Sequence, residues 1–182
     1  YIYYTYGLSV YGNLPLVEPL EYKKEHKVKE FVIALDTSAS CRGEVVRAFL
    51  RKTYSILKGT ENFFHQINVH IVQCDNDIRS DTKITCDGDF DRFMKEGKIH
   101  GFGATDFRPV FLYLEKLQQE GEFENLKGLI YFTDGYGIYP ETMPDYDVIF
   151  AFLDEDDNRM PPPPWAVSVI LYDDMLEEEQ KE

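Results

Sequence analysis

Short apolar runs, each about the length of one strand, alternate along this chain with segments of helical periodicity. A continuous apolar run of this kind predicts a parallel strand that is covered by helices on both faces. Strands that alternate with helices predict a doubly wound, mostly parallel α/β sheet with right-handed crossover connections. The predicted strands are residues 31–35, 67–74, 129–132, 147–153 and 166–171, and the predicted helices are residues 44–57 and 107–119.

Two local patterns add detail to this fold. The segment Asp81–Cys86 follows the second predicted strand closely, and we expect it to fold back as a hairpin and supply a sixth strand. Asp106 precedes the second predicted helix and is its expected N-cap, with Pro109 tolerated in the first turn.

The length of 182 residues is typical of one domain with a sizeable core. We expect an aromatic-rich arm at residues 1–28 that packs on a main domain at residues 29–172, followed by an acidic tail at residues 173–182. Because the chain begins at Tyr1 rather than at a methionine, we expect it to be a fragment of a longer protein.

The net charge of the chain argues against two kinds of partner. A net charge of −14 argues against binding to nucleic acid or to an anionic membrane surface.

No run of about 18 apolar residues is present, so no membrane-spanning helix is predicted. Cys41, Cys74 and Cys86 form no C-x-x-C pair and indicate a reducing, cytoplasmic location, with a Cys74–Cys86 disulfide as the disfavoured alternative.

The segment 36–40, Asp-Thr-Ser-Ala-Ser, comes directly after the first apolar run. Asp36, Ser38 and Ser40 offer hard oxygen atoms at alternate positions, which suits Mg²⁺ or Mn²⁺. The alternative is that Ser38 or Ser40 only caps the helix that follows.

Two further segments favour the metal interpretation. Residues 101–106, Gly-Phe-Gly-Ala-Thr-Asp, contain two glycines, which favour a loop, and this loop places Thr105 just before a helix. Residues 130–135, Ile-Tyr-Phe-Thr-Asp-Gly, are a buried strand that ends in Asp134 and a glycine. Because the carboxyl ends of parallel strands meet at one edge of a sheet, these oxygens are expected to converge there.

An Asp-x-Ser-x-Ser motif, a loop threonine and a strand-end aspartate, in that order, resemble the metal-ion-dependent adhesion site of von Willebrand factor type A domains. The resemblance spans about residues 30–172. It implies a Rossmann-like, six-stranded sheet in the order 3-2-1-4-5-6, with the hairpin strand antiparallel. The sequences of the three segments resemble those of a bacterial subgroup, in which this domain lies C-terminal to a metallopeptidase-like region. The segments are T-S-A-S-C, G-A-T-D-F-R-P-V and Y-F-T-D-G.

The resemblance also implies a role for each site residue. Ser38, Ser40 and Thr105 would bind the cation directly, while Asp36 and Asp134 would act mainly through bound waters and orient the hydroxyls. A partner protein would complete the coordination with an Asp or Glu carboxylate. The implied function is a metal-dependent protein-interaction module without catalysis, and the implied partners include AAA+ ATPases of the MoxR type.

Several other residues are expected near this site. Asp75 and Asp106 are candidates to hydrogen-bond the metal loops, although a solvated turn at Asp75 is favoured over that role. Aromatic residues on the surrounding loops are candidates for the rim of a partner interface, and packing of the loops is an equal alternative. These aromatic residues are Phe102, Phe107, Tyr136 and Tyr139.

Two other classes of function are compatible with the sequence. A metal-dependent phosphatase of the haloacid dehalogenase type would need a second aspartate where this chain has Ser38, and a serine hydrolase would need a nearby base. His26, His65, His70 and His100 show no recognisable catalytic spacing, and no H-E-x-x-H is present. The other alternative is a metal-free scaffold domain, in which the same loops cap helices.

Overall fold

The structure is a computed structural model that describes residues 29–38, 43–58, 67–96, 103–153 and 159–172. The expected aromatic arm at residues 1–28 and the acidic tail at residues 173–182 lie outside these described residues. Ser40, Cys41 and Phe102 lie outside them as well.

The described residues form a six-stranded sheet in the order β3-β2-β1-β4-β5-β6, in which only the β2–β3 pair is antiparallel. This confirms the predicted fold class and strand order. The strands are β1 Lys29–Asp36, β2 Ile67–Cys74, β3 Ile78–Ile84, β4 Gly128–Thr133, β5 Asp147–Phe152 and β6 Val167–Ile170.

The β2–β3 hairpin is confirmed, but β3 begins earlier in the chain than predicted. The register of the pair shifts between Gln73 and Cys74, so that Cys74 lies opposite Ile78. That irregularity lets the chain reverse within a short turn, in which the N–H of Asp75 donates to the carbonyl of Asp77 (3.1 Å). The structure has no disulfide between Cys74 and Cys86.

Three helices lie within the described part of the chain: α1 Gly43–Lys58, α2 Asp87–Glu96 and α3 Arg108–Gln119. The predictions of α1 and α3 are confirmed, whereas α2 was not predicted. The sequence of α2 is largely charged and buries only Phe90 fully, so its apolar stripe is too sparse to indicate a helix. None of these helices is both long and apolar enough to cross a membrane.

The prediction that Asp106 is the N-cap of α3 is wrong by one residue. Phe107 holds the N-cap position and makes no side-chain capping bond. Asp106 still serves the helix start, because its carboxylate accepts the N–H of Arg108 (3.0 Å). Pro109 lies in the first turn, where the missing N–H costs no helical hydrogen bond.

Successive residues of β1 enter different cores, as expected for a strand with both faces covered. Val32 and Ala34 pack on the α3 side, whereas Ile33 and Leu35 pack on the α1 and α2 side. The α3 side is rich in aromatic rings, and Phe107, Tyr131 and Phe150 lie within 5.6 Å of one another between ring centroids.

A partly buried polar cluster around His70 holds α3 against the hairpin. His70 on β2 has Nδ1 at 2.8 Å from Asp81 on β3 and Nε2 at 3.3 Å from Glu122, which follows α3. The hydroxyl of Tyr113 on α3 donates to the same Asp81 carboxylate (2.7 Å). Because both ring nitrogens of the buried His70 have partners, the imidazole can be buried without a large desolvation penalty.

Two leucines of α3 differ in burial, and this difference predicts how far each one contributes to the free energy of unfolding. Leu114 is fully buried, whereas Leu112 is 65% exposed. We expect Leu114→Ala to lower the free energy of unfolding by about 2–5 kcal/mol, since it leaves a cavity. Leu112→Ala, the matched control, should change it by less than about 0.5 kcal/mol. Urea unfolding of both variants measures the difference, and equal effects would contradict the placement of α3.

Candidate metal site at the carboxyl edge of the sheet

The predicted site residues meet where β1 and β4 end side by side in the centre of the sheet. Asp36 is the last residue of β1 and Thr133 is the last residue of β4. The two strands are parallel, with Leu35 opposite Phe132, so both chains leave the sheet at the same edge. This edge is the switch point of the strand order, where open α/β sheets commonly bind ligands.

The carboxylate of Asp36 is the centre of the site and is fully buried. One oxygen, Oδ1, accepts the N–H of Ser38 (2.9 Å). The other, Oδ2, accepts the hydroxyls of Thr133 (2.6 Å) and Thr105 (3.4 Å). The β1 loop, the Thr105 loop and the end of β4 are therefore joined through one carboxylate, although they are distant in sequence.

The electrostatics of Asp36 favour a nearby cation. Burial raises the pKa of Asp36, hydrogen bonds from Thr133 and Ser38 lower it, and the charge of Asp134 raises it further, with a net increase. Two carboxylates therefore act on each other at a buried position, which is unfavourable in the absence of a positive charge. A divalent cation beside Asp36 would offset both the burial and the repulsion.

The turn that carries Asp134 is fixed by its own hydrogen bonds. Its carboxylate accepts the N–H of Tyr136 (3.1 Å), and the hydroxyl of Thr133 accepts the N–H of Gly135 (3.0 Å). Gly135 has a φ of +90°, and a Cβ there would lie 2.9 Å from the ring of Phe152. A glycine is needed at this position for both reasons.

Asp75 supports the Thr105 loop, but not through a bond from its carboxylate to that loop. Its main-chain carbonyl accepts the N–H of Asp106 (3.1 Å), and Gly103 lies so close that a Cβ would be 3.0 Å from Asp75 Oδ2. The carboxylate is buried and accepts Arg79 Nε (2.8 Å) and the N–H of Asp77 (3.2 Å). The favoured prediction of a solvated turn at Asp75 is therefore wrong, because the Thr105 loop covers it.

Asp106 makes its side-chain bonds to α3 rather than to the metal loops. Its two oxygens accept Arg108 Nε (2.9 Å) and Nη2 (2.6 Å). Those bonds lower the pKa of Asp106 in spite of its partial burial. The carboxylate next to Thr105 is thus neutralised by Arg108 and adds little negative charge to the site.

The four aromatic candidates for the rim have different positions. Phe107 is fully buried and packs against Tyr131 and Phe150, so its assignment to the rim is wrong. Tyr139 is half-buried, with its ring 4.8 Å from that of Phe107, and burial raises its pKa to about 12. Tyr136 is 51% exposed beside Asp134. Phe102 lies outside the described residues.

Sequence analysis missed Thr133 as a site residue. Its hydroxyl makes the shortest hydrogen bond to Asp36, so it orients the carboxylate that the other segments share. The only signal in the sequence was its position next to Asp134 at the end of a predicted strand. Threonine is common in strands, so position alone did not distinguish it.

The donor set fits a hard cation. Ser38 and Thr105 carry hydroxyl oxygens, Asp36 and Asp134 carry carboxylates, and this group includes no nitrogen or sulfur donor. Oxygen donors of this kind suit Mg²⁺ or Mn²⁺. No cluster of three or more His, Cys, Asp or Glu side chains within the described ranges could hold a metal, so a metal here depends on the hydroxyls. Ser40, the remaining predicted ligand, lies outside those ranges.

Comparison with known proteins identifies relatives of the fold. A family model described as VWA-like domain (DUF2201) matches residues 31–172. The VWA domain of SpRpn10 aligns with 80% of this chain and 89% of its own length, at 11% identity and a TM-score of 0.51. An aerotolerance-related membrane protein from Bacteroides fragilis NCTC 9343, solved with multiple mutations to serines, aligns over 81% of this chain and 93% of its own. Its identity is 12% and its TM-score is 0.51.

At these identities the two solved structures show a shared fold and nothing further about function. No curated protein matches the chain.

The support of the Thr105 loop by Asp75 predicts a pH-dependent contribution to stability. Burial raises the pKa of Asp75, but bonds from Arg79, Asp77 and Asn76 outweigh it and hold the pKa below the usual 3.8. A carboxyl with a lowered folded-state pKa stabilises the fold above pH 3.8 and loses that effect as the pH falls through its own pKa. We expect Asp75→Asn to cost on the order of 1–2 kcal/mol at neutral pH, allowing for the partial exposure of Arg79.

The control for this variant is Asp77→Asn, which removes the same charge from an exposed position two residues away. Urea unfolding over a pH series should show that the gap between wild type and Asp75→Asn narrows below pH 3.8, while the control follows the wild type. A gap that persists unchanged at lower pH, or an equal loss in the control, would contradict this role of Asp75.

Proposed function

We propose that this chain, which belongs to the VWA-like domain family, is a metal-dependent protein-interaction module that captures a carboxylate of its partner. VWA-like domains are commonly interaction modules. The observation that carries the proposal is the convergence of Ser38, Thr105 and Thr133 on the buried carboxylate of Asp36, with Asp134 alongside.

Each residue of the site has a distinct part in the proposed binding. Ser38 and Thr105, together with Ser40, would hold Mg²⁺ or Mn²⁺ through their hydroxyl oxygens. Asp36 accepts hydrogen bonds from Thr105 and Thr133 and so keeps those hydroxyls in place. Asp134 adds negative charge that attracts the cation.

The cation would supply positive charge for binding, and no bond in the partner would be broken. The three hydroxyl ligands are neutral and do not fill the octahedral coordination of Mg²⁺, so a carboxylate of the partner would complete it. Binding would therefore need the cation in this chain and one Asp or Glu in the other protein.

The nature of the partner follows from charge and from the resemblance noted above. A net charge of −14 favours a partner that is basic around its acidic anchor residue. A MoxR-type AAA+ ATPase remains the proposed partner, and the chain is proposed to be part of a larger bacterial protein with a metallopeptidase-like region. Cys74 and Cys86 form no disulfide with each other, which fits the proposed cytoplasmic location.

The hydrolase alternative has little support at this site. His70, the one histidine in the described part of the chain, is buried in the middle of β2 and contacts Asp81 and Glu122. It therefore lies away from the edge of the sheet where Asp36 is found. A metal-activated hydrolase would need a general base near the cation, and His70 does not supply one.

Metal binding should stabilise the folded state. A ligand at about 100 times its Kd adds roughly 2.7 kcal/mol by mass action. We expect Mg²⁺ or Mn²⁺ to raise the melting temperature of the wild type, and Ser38→Ala or Asp134→Ala to abolish the increase. Ser168→Ala, which removes an exposed hydroxyl from β6, is the control and should respond as the wild type does. Identical melting curves in EDTA and in excess metal would favour the metal-free scaffold alternative.

Partner capture should require both the cation and Thr105. In a pull-down from the source cells, we expect wild type and Ser168→Ala to retain a protein in Mg²⁺ but not in EDTA, and Thr105→Ala to retain it in neither. Mass spectrometry would then test whether that protein is an AAA+ ATPase. Retention by Thr105→Ala in EDTA at the wild-type level would rule out a metal-bridged contact.

A further inference from the structure

We propose that Tyr136 and Ile138 form a docking ridge for a large apolar side chain that lies within two residues of the carboxylate captured by the metal. This inference rests on the proposed function and adds which kind of sequence in the partner is bound. The partner is expected to bind through an extended segment, in which an acidic residue lies within two positions of a residue such as Leu, Phe or Tyr.

The ridge is exposed because the residues that alternate with it are glycines packed on the core. A Cβ on Gly137 would lie 2.6 Å from the buried ring of Phe107, and a Cβ on Gly135 would lie 2.9 Å from Phe152. The backbone therefore lies directly against two aromatic rings. The side chains between and after the glycines face solvent, with Tyr136 51% and Ile138 53% exposed.

Both ends of the ridge are attached to the predicted metal loops. The N–H of Tyr136 donates to the carboxylate of Asp134 (3.1 Å). At the other end, the carbonyl of Ile138 accepts the N–H of Phe107 (3.1 Å), and Ile138 pairs with Asp106 in a short parallel bridge. The ridge thus connects the Asp134 turn to the residue that follows Thr105.

This attachment is what distinguishes the ridge from ordinary exposed apolar residues. Single exposed side chains are common on protein surfaces and need no function. Met143, Met160 and Leu112 are exposed in this way. The ridge is held in place before binding, so a partner side chain that packs on it would lose less conformational entropy.

The chemistry of the occupant follows from the neighbouring charges. Arg108 pairs with Asp106 next to the ridge, so this carboxylate adds little net negative charge to the rim. A second copy of this chain is a poor occupant, because each copy carries a net charge of −14. Adjacent residues of an extended chain are only about 3.8 Å apart, so a residue next to the captured carboxylate stays close to the ridge.

The first step of the test is a selection from a library of random linear peptides on the wild-type protein in Mg²⁺, with elution by EDTA. We expect the eluted peptides to share an acidic residue with a large apolar residue within two positions. An acidic consensus without a nearby apolar residue would overturn the ridge while leaving carboxylate capture intact. No EDTA-dependent enrichment would overturn carboxylate capture, and the ridge with it.

The second step measures the affinity of the consensus peptide for Ile138→Ser and for Met143→Ser. Met143 is 64% exposed and lies in the same connection between β4 and β5, so it is a matched control. We expect Ile138→Ser to weaken binding by roughly tenfold to a hundredfold, as for the loss of a buried aliphatic side chain. The Mg²⁺-induced shift in melting temperature should stay the same in both variants.

A double-mutant cycle separates the ridge from indirect effects. Replacing the apolar residue of the peptide by serine should weaken binding to the wild type, but should have little further effect on Ile138→Ser. Additive losses, or equal affinities of Ile138→Ser and the wild type, would overturn the ridge while the metal site stands. Tyr136→Ser provides a second variant, with the same expected coupling.

Discussion

The buried carboxylate of Asp36 is the interaction on which this end of the molecule depends. A charged group that is removed from water must be compensated by hydrogen bonds or by opposite charge. Here the compensation comes from Ser38, Thr105 and Thr133, which belong to separate segments of the chain. The need to satisfy one carboxylate therefore holds the loops of the site together, through the N–H of Ser38 and the hydroxyls of Thr105 and Thr133.

A layer of aromatic rings beneath the site determines where the surrounding loops lie. Phe107, Tyr131 and Phe150 are fully buried, and Tyr139 packs against two of them. The hydroxyl of Tyr131 is also 3.0 Å from the thiol of Cys74 at the end of β2. Because such a core is densely packed and has low compressibility, it keeps the loops above it in fixed positions.

Support for the Thr105 loop comes from the opposite side of the site and is polar rather than aromatic. The chain after β2 turns sharply, and Asp75 there bonds to Arg79 through its carboxylate and to Asp106 through its carbonyl. Gly103 fits against Asp75 because it has no side chain. A rigid aromatic base and a partly buried ion pair thus hold the two sides of one site, which suits a surface that binds a partner without rearrangement.

The sequence by itself determined the strands, two of the helices and the edge of the sheet where the site lies, because apolar periodicity records which faces an element buries. It also predicted that Asp36, Ser38, Thr105 and Asp134 lie together at this edge. Strands β1 and β4 end there, and Thr105 reaches the edge from the loop before α3. It missed α2, whose short and charged sequence becomes a helix mainly through the burial of Phe90.

Only the tertiary structure decided which loop residues face inward. Phe107 is buried because the backbone of Gly137 lies on its ring, and Asp75 is buried because the Thr105 loop covers it. These contacts join residues that are far apart in the chain, and no local pattern encodes them.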